Sequence, residues 1–552
     1  MQKSGGGTAR IHGGSRAHPE GKMPVLPATY TRSLGGVMNK LKTWWHEQGK
    51  LKRLVAGVLA FGAVAACTDK TRQPAVAGAF YPADPKELAR MVDGFISQAK
   101  VPQIEGLIAV VAPHAGYVFS GPVASYSYAL LKNRKVDRVV VIAPSHYEAF
   151  SFTSIYNGTA YSTPLGTIPV DHEFAAKLGH MGSGLKLSDR GHAVSEGRRE
   201  HAVEVQLPFL QRTLEQFKLV PIVMGDQSYA ACRTLGLALA KLMKGSETII
   251  VASSDLSHYH PYDEAVKIDH KTLKAITEWD YLSMSHNFES RIWEACGGGP
   301  IIAAMIASER LGANQAKVLK YANSGDTTGD KFRVVGYAAV AFYKSSKANT
   351  TESEQFTLSE AEKNELLELA KKSVETAVRE HKLLNYSAAS SETLMQERGA
   401  FVTLREKGRL RGCIGYVAPI RPLAFTVRDV AAAAALEDSR FPPVTVGELP
   451  QLEYEISVLS PLRRVLDIRS IKVGRDGLVV KQGRYQGLLL PQVPVEEHWD
   501  RLTFLQQTCV KAGLPPDAWK DPSTDIFRFT ALVFGCAEKP RASADKTARS
   551  AR

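Results

Sequence analysis

"LIAVVAPH" (residues 107–114) is an uninterrupted apolar run that stops at Ala-Pro and delivers a histidine. The pattern recurs in "RVVVIAPSHY" (residues 138–147), where His146 comes after the same Ala-Pro stop. Two further runs, "FKLVPIVMG" (residues 217–225) and "ETIIVASSD" (residues 247–255), share the β-branched bias, and the last releases Asp255 and then His258. Runs without polar alternation suit strands buried on both faces, as in a parallel sheet covered by helices. "PVASYSYALLK", "EFAAKLGHM" and "RTLGLALAKLMK" fill helical positions between or around them, so residues 72–344 read as a mainly parallel α/β domain with at least four strands.

In an open parallel sheet, ligands bind outside the carboxyl ends of the strands. Three strands that each release an imidazole or a carboxylate there would gather His114, His146, Asp255 and His258 in one cleft. Neutral imidazole is a common ligand of Fe, Cu and Zn, and two histidines with an anionic third group make a minimal open site. Candidates for that third group are Asp255, Glu204 of "REHAVEVQLPFL" and Cys296 of "EACGGGPIIAAM". Cys296 precedes an apolar helix, whose N-terminus would favour thiolate. Taken singly, each histidine reads as a hydrogen-bonded loop residue and the cysteine as buried filler. The repeated placement is what argues for a site.

"YKSSKANTTESEQ" (residues 343–355) lacks apolar periodicity and places an interdomain linker over residues 345–355. Residues 356–540 open with an amphipathic helix in which Ser359 is the N-cap and Glu362 completes a capping box. The shorter runs "GAFVTLRE", "YEISVLS", "GLVVKQG" and "YQGLLLPQV" predict an α+β domain with an antiparallel sheet. Its sharpest feature is "GRLRGCIGY" (residues 408–416), where Gly412 and Gly415 flank Cys413 near Arg409 and Arg411. Neighbouring cations would lower the thiol pKa and make Cys413 a nucleophile or redox centre. The structural alternative is a tight Gly-bracketed turn whose cysteine packs inward.

A chain of 552 residues with 44% hydrophobic and 23% charged residues is globular and divides into two or three domains. Its net charge of +13 does not point to nucleic acid, because residues 1–66 hold ten Lys and Arg against two Asp and Glu, a surplus of +8. No basic stripe with interleaved aromatics occurs in either folded part. Residues 1–37 read as unstructured, with Met38 the more usual start for a signal peptide. Over residues 38–67, Lys50, Lys52 and Arg53 precede an apolar run from Leu54 to Ala66 that is short for a membrane span and ends at Cys67. "VAAC" resembles the lipobox of bacterial lipoproteins, which would place a lipid on Cys67 and the chain at the cell envelope. Without that processing the protein would be cytoplasmic. Cys232, Cys296, Cys413, Cys509 and Cys536 remain, too widely spaced for a disulfide framework. Residues 541–552 read as a basic, solvated tail.

"AVAGAFYPADPKEL", "APHAGYVFSGPVA", "APSHYEAF", "EHAVEVQLPFL", "SSDLSHY" and "CGGGPIIAAM", in that order, resemble the Memo family over about residues 72–344. That resemblance implies a fold similar to the class III extradiol dioxygenases, whose non-haem Fe(II) is held by two histidines and a carboxylate. It implies His114, His146 and Cys296 as metal ligands. His258 takes the place of the dioxygenase general base with Asp255 beside it, and His201 is a further cleft residue. Cys296 in place of a carboxylate widens the metals from Fe(II) to Cu, with Zn a weaker fit. "LRGCIG", "AAAAALEDSRFPPVT" and "EYEISVLSPLRRV" resemble the Ammecr (AMME chromosomal region) family over roughly residues 356–540, which assigns no role to Cys413.

The expected function is therefore that of a metal-dependent redox protein, dioxygenase-like, acting on a small molecule. The alternative is a metal-binding or partner-docking scaffold without catalysis. Memo and Ammecr domains also occur in the AmmeMemoRadiSam group, which implies a radical S-adenosylmethionine enzyme as partner. This chain has no Cys-x3-Cys-x2-Cys, so that chemistry would reside on a separate protein.

Overall fold

The computed structural model describes residues 70–345 and 356–535, apart from residues 193, 196, 197 and 388. The leader with Cys67, most of the linker, Cys536 and the tail lie outside the described residues. Among the described residues no helix is long and apolar enough to cross a membrane.

The four apolar runs form the centre of a nine-stranded sheet. They are β1 (Leu107–Ala112), β2 (Arg138–Pro144), β3 (Lys218–Met224) and β4 (Thr248–Ser253). All four are parallel, in the order β1-β4-β2-β3. Both faces are covered, and successive residues of one strand belong to opposite layers. Val140 and Ile142 join the cluster under the helices Tyr229–Met243 and Gly298–Arg310, while Val139 and Val141 join the cluster under Pro85–Gln98 and Tyr117–Ala129. Burial on both sides removes the polar positions that would otherwise alternate. Each such side chain withdrawn from water contributes about 1.5–3 kcal/mol.

The sheet is mixed, which corrects the mainly parallel expectation. β5 (Val334–Tyr343) runs antiparallel to β1 and carries Gln315–Asn323 and the short strand His258–His260. At the other edge Thr153–Tyr156 is antiparallel to β3. The physical reason is connection length: residues 315–343 hold two strands and one short helix, too little chain for helical crossovers between parallel neighbours.

The second domain is α+β, with antiparallel pairing throughout the described residues. One sheet has the order Arg409–Tyr416, Ala400–Glu406, Leu452–Leu459, Ala531–Gly535 and packs under the helices Glu360–Glu380 and Leu423–Leu436. A second four-stranded sheet, Arg463–Arg464, Asp525–Phe529, Gly477–Gln482 and Tyr485–Leu489, packs against Arg501–Lys511. The capping box forms as expected: Ser359 accepts the N–H of Glu362 and donates its own N–H to the Glu362 carboxylate at 2.8 Å. "GRLRGCIGY" is a hairpin strand rather than a tight turn, so Cys413 sits at a regular ladder position opposite Thr403.

The two domains share a core. Leu459, Leu462, Val479, Phe527 and Phe529 belong to the same buried cluster as Ile301, Met305 and Tyr281 of the first domain. Within this interface the buried Asp525 carboxylate accepts from Tyr229 Oη at 2.8 Å, Arg233 Nε at 2.6 Å and Arg464 Nη2 at 2.6 Å. A buried carboxylate needs this many donors to offset its desolvation.

Candidate metal centre

The carboxyl ends of β1, β2 and β4 converge. His114 lies two residues beyond β1, His146 two beyond β2, and Ser253 closes β4 just before Asp255. Cys296 arrives from the first-domain segment before the helix Gly298–Arg310. The glycines after it permit the approach: a Cβ on Gly297 would lie 2.2 Å from the Ser253 carbonyl oxygen, and one on Gly299 would lie 2.7 Å from Gln227 Cβ. Gln227, just past β3, clamps the same turn, accepting the Gly299 N–H at 2.7 Å and donating to the Cys296 carbonyl at 3.0 Å.

One ligand-capable atom from each of His114, His146 and Cys296 lies within 4.8 Å of the others. Cys296 Sγ is 3.1 Å from His114 Nε2, and the His114 and His146 ring centroids are 5.1 Å apart. The hydrogen bonds fix which nitrogen of each ring is free. Ser253 Oγ donates to the Ala202 carbonyl at 2.6 Å and accepts from Gln206 Nε2 at 2.8 Å, so it accepts rather than donates at His114 Nδ1, 2.8 Å away. His114 is thereby protonated at Nδ1 and presents the Nε2 lone pair to the centre. His146 Nδ1 lies 3.0 Å from a Glu200 oxygen and donates to it, leaving Nε2 available. Carboxylate or hydroxyl partners of this kind orient metal-ligating imidazoles in general.

The electrostatics separate the two rings. Burial, reinforced by the other histidines, holds the His114 pKa well below the usual imidazole range. Burial also opposes the charged form of His146, but the hydrogen bond and negative charge of Glu200 outweigh it and raise its pKa. Glu200 is itself held down at about 2: its burial is overcome by bonds from the His146 ring and the backbone N–H groups of His146 and Ala202. Burial pushes the Cys296 thiol up, against the expectation of a helix-favoured thiolate. A bound metal would favour the thiolate and release the thiol proton.

The other expected site residues divide between this cleft and places outside it. The ring of His201 stacks on His146 at 5.0 Å and 8°, and burial lowers its pKa. Asp255 turns its carboxylate to the His114 N–H at 2.8 Å and to that of Ala115, so it shapes the "PHAGY" loop; burial raises it to about 7. His258 donates to the Leu256 carbonyl, feels the charges of His146 and Glu294, and is shifted down by burial. Its neighbour Tyr259 has a φ of +64°, a left-handed conformation that costs a non-glycine residue about 1–2 kcal/mol. Glu204, a candidate third ligand, is instead fully buried against Arg72, Tyr81 Oη and the N–H groups of Ala75 and Val76. Cys413 belongs to the second domain and takes no part in this centre; burial raises its pKa, and Arg411, expected to activate it, is bound to Glu448.

Glu200, Ser253 and Gln206 were not singled out from sequence. Glu200 had a signal, since it directly precedes His201 in "REHAVE". Ser253 and Gln206 had none, because their importance rests on contacts with His114 across 139 residues and with each other across 47.

An α/β sheet whose carboxyl edge gathers three groups that could hold a metal ion, His114, His146 and Cys296, defines the first domain. The chain belongs to the Memo family: residues 72–341 match Memo-like proteins, and residues 367–534 match AMMECR1. A MEMO1 family protein of Methanopyrus kandleri is 38% identical over 283 residues, 49% of this chain and 98% of its own length. One from Methanosarcina mazei is 41% identical over 272 residues, covering 49% of this chain and 98% of its own. An uncharacterized protein from Pyrococcus horikoshii of known crystal structure is 43% identical, with a TM-score of 0.30, covering 30% of this chain and 88% of its own.

Proposed function

We propose that the chain is a metal-dependent redox protein whose centre is held by His114, His146 and Cys296. The observation that carries this reading is that one ligand-capable atom of each of His114, His146 and Cys296 lies within 4.8 Å of the others, with His114 Nε2 3.1 Å from the Cys296 thiol and the Nδ1–H groups of the two imidazoles committed to Ser253 and Glu200. The donor set is softer than two histidines and a carboxylate, which fits iron, copper or zinc better than Mg or Ca; zinc is the weaker fit to this reading because it carries no redox chemistry. A bound metal would supply electron transfer and open positions for O2 or a small substrate.

The chain's own residues supply the rest. Cys296 would give up its thiol proton to serve as ligand. Glu200 and Ser253 hold the imidazoles in the ligating tautomer. Burial favours the neutral form of His258, which could take a proton from a substrate hydroxyl or thiol. A dioxygenase-like reaction, a lipid anchor at Cys67 with the protein at the cell envelope, and a separate radical S-adenosylmethionine partner belong to the same proposal.

The test is metal content by mass spectrometry of the full chain purified anaerobically. Near-stoichiometric Fe or Cu in wild type, lost in both His114→Ala and Cys296→Ser, is the expected result. A wild type that fails to take up added Fe(II), Cu(I) or Zn overturns the reading. Stoichiometric metal without O2 consumption on phenols or thiols would leave a metal-binding scaffold in its place.

A further inference from the structure

Two of the three candidate metal ligands are positioned by the first domain alone. His114 is held through Ser253, itself bonded to Gln206, and His146 through Glu200, all of them first-domain residues. The third, Cys296, sits on a turn braced by two segments whose far sides rest on the second domain.

The first brace is Gln227–Arg233. The Gln227 amide grips the turn at two points, accepting the Gly299 N–H at 2.7 Å and donating to the Cys296 carbonyl at 3.0 Å. Two residues on, Tyr229 opens the helix Tyr229–Met243, and its hydroxyl donates to Asp525 of the second domain at 2.8 Å. One turn later Arg233 donates to the same carboxylate oxygen at 2.6 Å and to the Pro522 carbonyl at 2.8 Å. The Lys481 ammonium covers the Tyr229 ring, 4.5 Å from its centroid. The start of this helix, and with it Gln227, is therefore fixed from the second domain. The helix also lies directly against the one that follows Cys296: a Cβ added to Gly236 would lie 2.8 Å from the Ala303 carbonyl oxygen. Helices packed this closely transmit a displacement instead of absorbing it.

The second brace is Tyr281–Cys296. The Tyr281 ring meets that of Phe527 of the second domain at 6.0 Å and 65°, and Trp293, three residues before Cys296, is buried in the cluster that both domains build. Phe288 presses on the turn itself, since a Cβ on Gly298 would lie 2.7 Å from its ring.

We propose that the second domain sets the position of the Cys296 ligand, with Gln227 and Asp525 as the positioning residues. This rests on the metal reading above, and it gives the second domain a part in the centre without contributing a ligand to it. Contacts that orient a ligand from behind are worth about 10–100-fold in metal affinity.

The test is anaerobic titration of the full chain with Co(II), read by chelator competition for affinity and by the thiolate-to-cobalt charge-transfer band, which reports sulfur at the metal. Wild type is expected to show the band. Gln227→Met should weaken Co(II) binding by about tenfold or more and shift or diminish the band. Asp525→Asn should move both in the same direction, by about threefold or more in affinity. If circular dichroism shows Asp525→Asn misfolded, Tyr229→Phe, which removes one donor and keeps the ring, decides with the same expectation. Asp438→Asn, on the hairpin of the second domain, removes a stabilising carboxylate outside these contacts and should leave affinity and band at their wild-type values, which separates positioning from a general loss of stability. An unchanged affinity and band in Gln227→Met, or in the folded interface variant, overturns the proposal, as does an equal loss in Asp438→Asn. A wild type without the band overturns it as well, and the uptake of Fe(II), Cu(I) and Zn described above judges the metal assignment separately.

Discussion

Cys296 and Cys413 are both half-buried thiols beside glycines, and in both burial raises the pKa. Their company differs. Cys296 lies against the Nε2 of a buried histidine whose other nitrogen is pinned, with a second imidazole beside it. Cys413 accepts from Thr403 Oγ1 at 3.4 Å, while its backbone is tied to Asp438 and Arg440. An Asp438–Arg440 pair can anchor a hairpin but adds no soft ligand. The capacity to hold a metal thus comes from the neighbours that oriented strands deliver, since a burial-raised thiol is common to both places.

The sharpest break of this comparison is metal retention in the two serine variants. Cys296→Ser should lose its metal altogether, whereas Cys413→Ser should retain the wild-type content by mass spectrometry; loss in both would erase the distinction. Next in size is Glu200→Gln, which removes the carboxylate behind His146. It should weaken metal affinity by about 10–100-fold in a competitive chelator titration while leaving the secondary structure intact.

A smaller effect belongs to the hairpin. Asp438 is held down at about 2 by hydrogen bonds from Arg440 and the Cys413 N–H, set against its desolvation. A carboxyl depressed in the folded state stabilises fully above its unfolded pKa of about 3.9, and the stabilisation is lost as pH falls through about 2. Asp438→Asn should therefore cost about 1–2 kcal/mol at neutral pH in urea unfolding, and the difference from wild type should shrink between about pH 4 and pH 2. Least in size is alkylation: Cys413 should react with iodoacetamide more slowly than free cysteine near neutral pH, with the gap closing as pH rises. Selective fast labelling at neutral pH would restore it as a nucleophile.

His114 and His146 were legible in the sequence because their placement obeys a local rule, which does not reach Cys296, on the segment between two helices. A buried strand must stop somewhere, and its next residues emerge at the sheet's carboxyl edge. Glu204 illustrates the limit of that rule. It lies in the same motif as His201, yet its partners Arg72 and Tyr81 come from more than a hundred residues away. Glu200, four positions earlier, is the one that reaches the centre. Adjacency to His201 is the one local signal in "REHAVEVQ", and the choice between the two carboxylates is made by which chain segment packs against each.

From its sequence alone, the order of the four central strands along the chain, the capping box at Ser359, the two-part organisation and the histidines at strand ends were all determined, since each depends on residues within a few positions of one another. Tertiary structure alone decided the antiparallel edges of the first sheet, the tautomers of His114 and His146, and the core shared between domains. Asp525 and Arg233 meet across 292 residues of sequence. Contacts of that range carry no local signature, because they arise from which surfaces are left to bury once the helices and strands have formed.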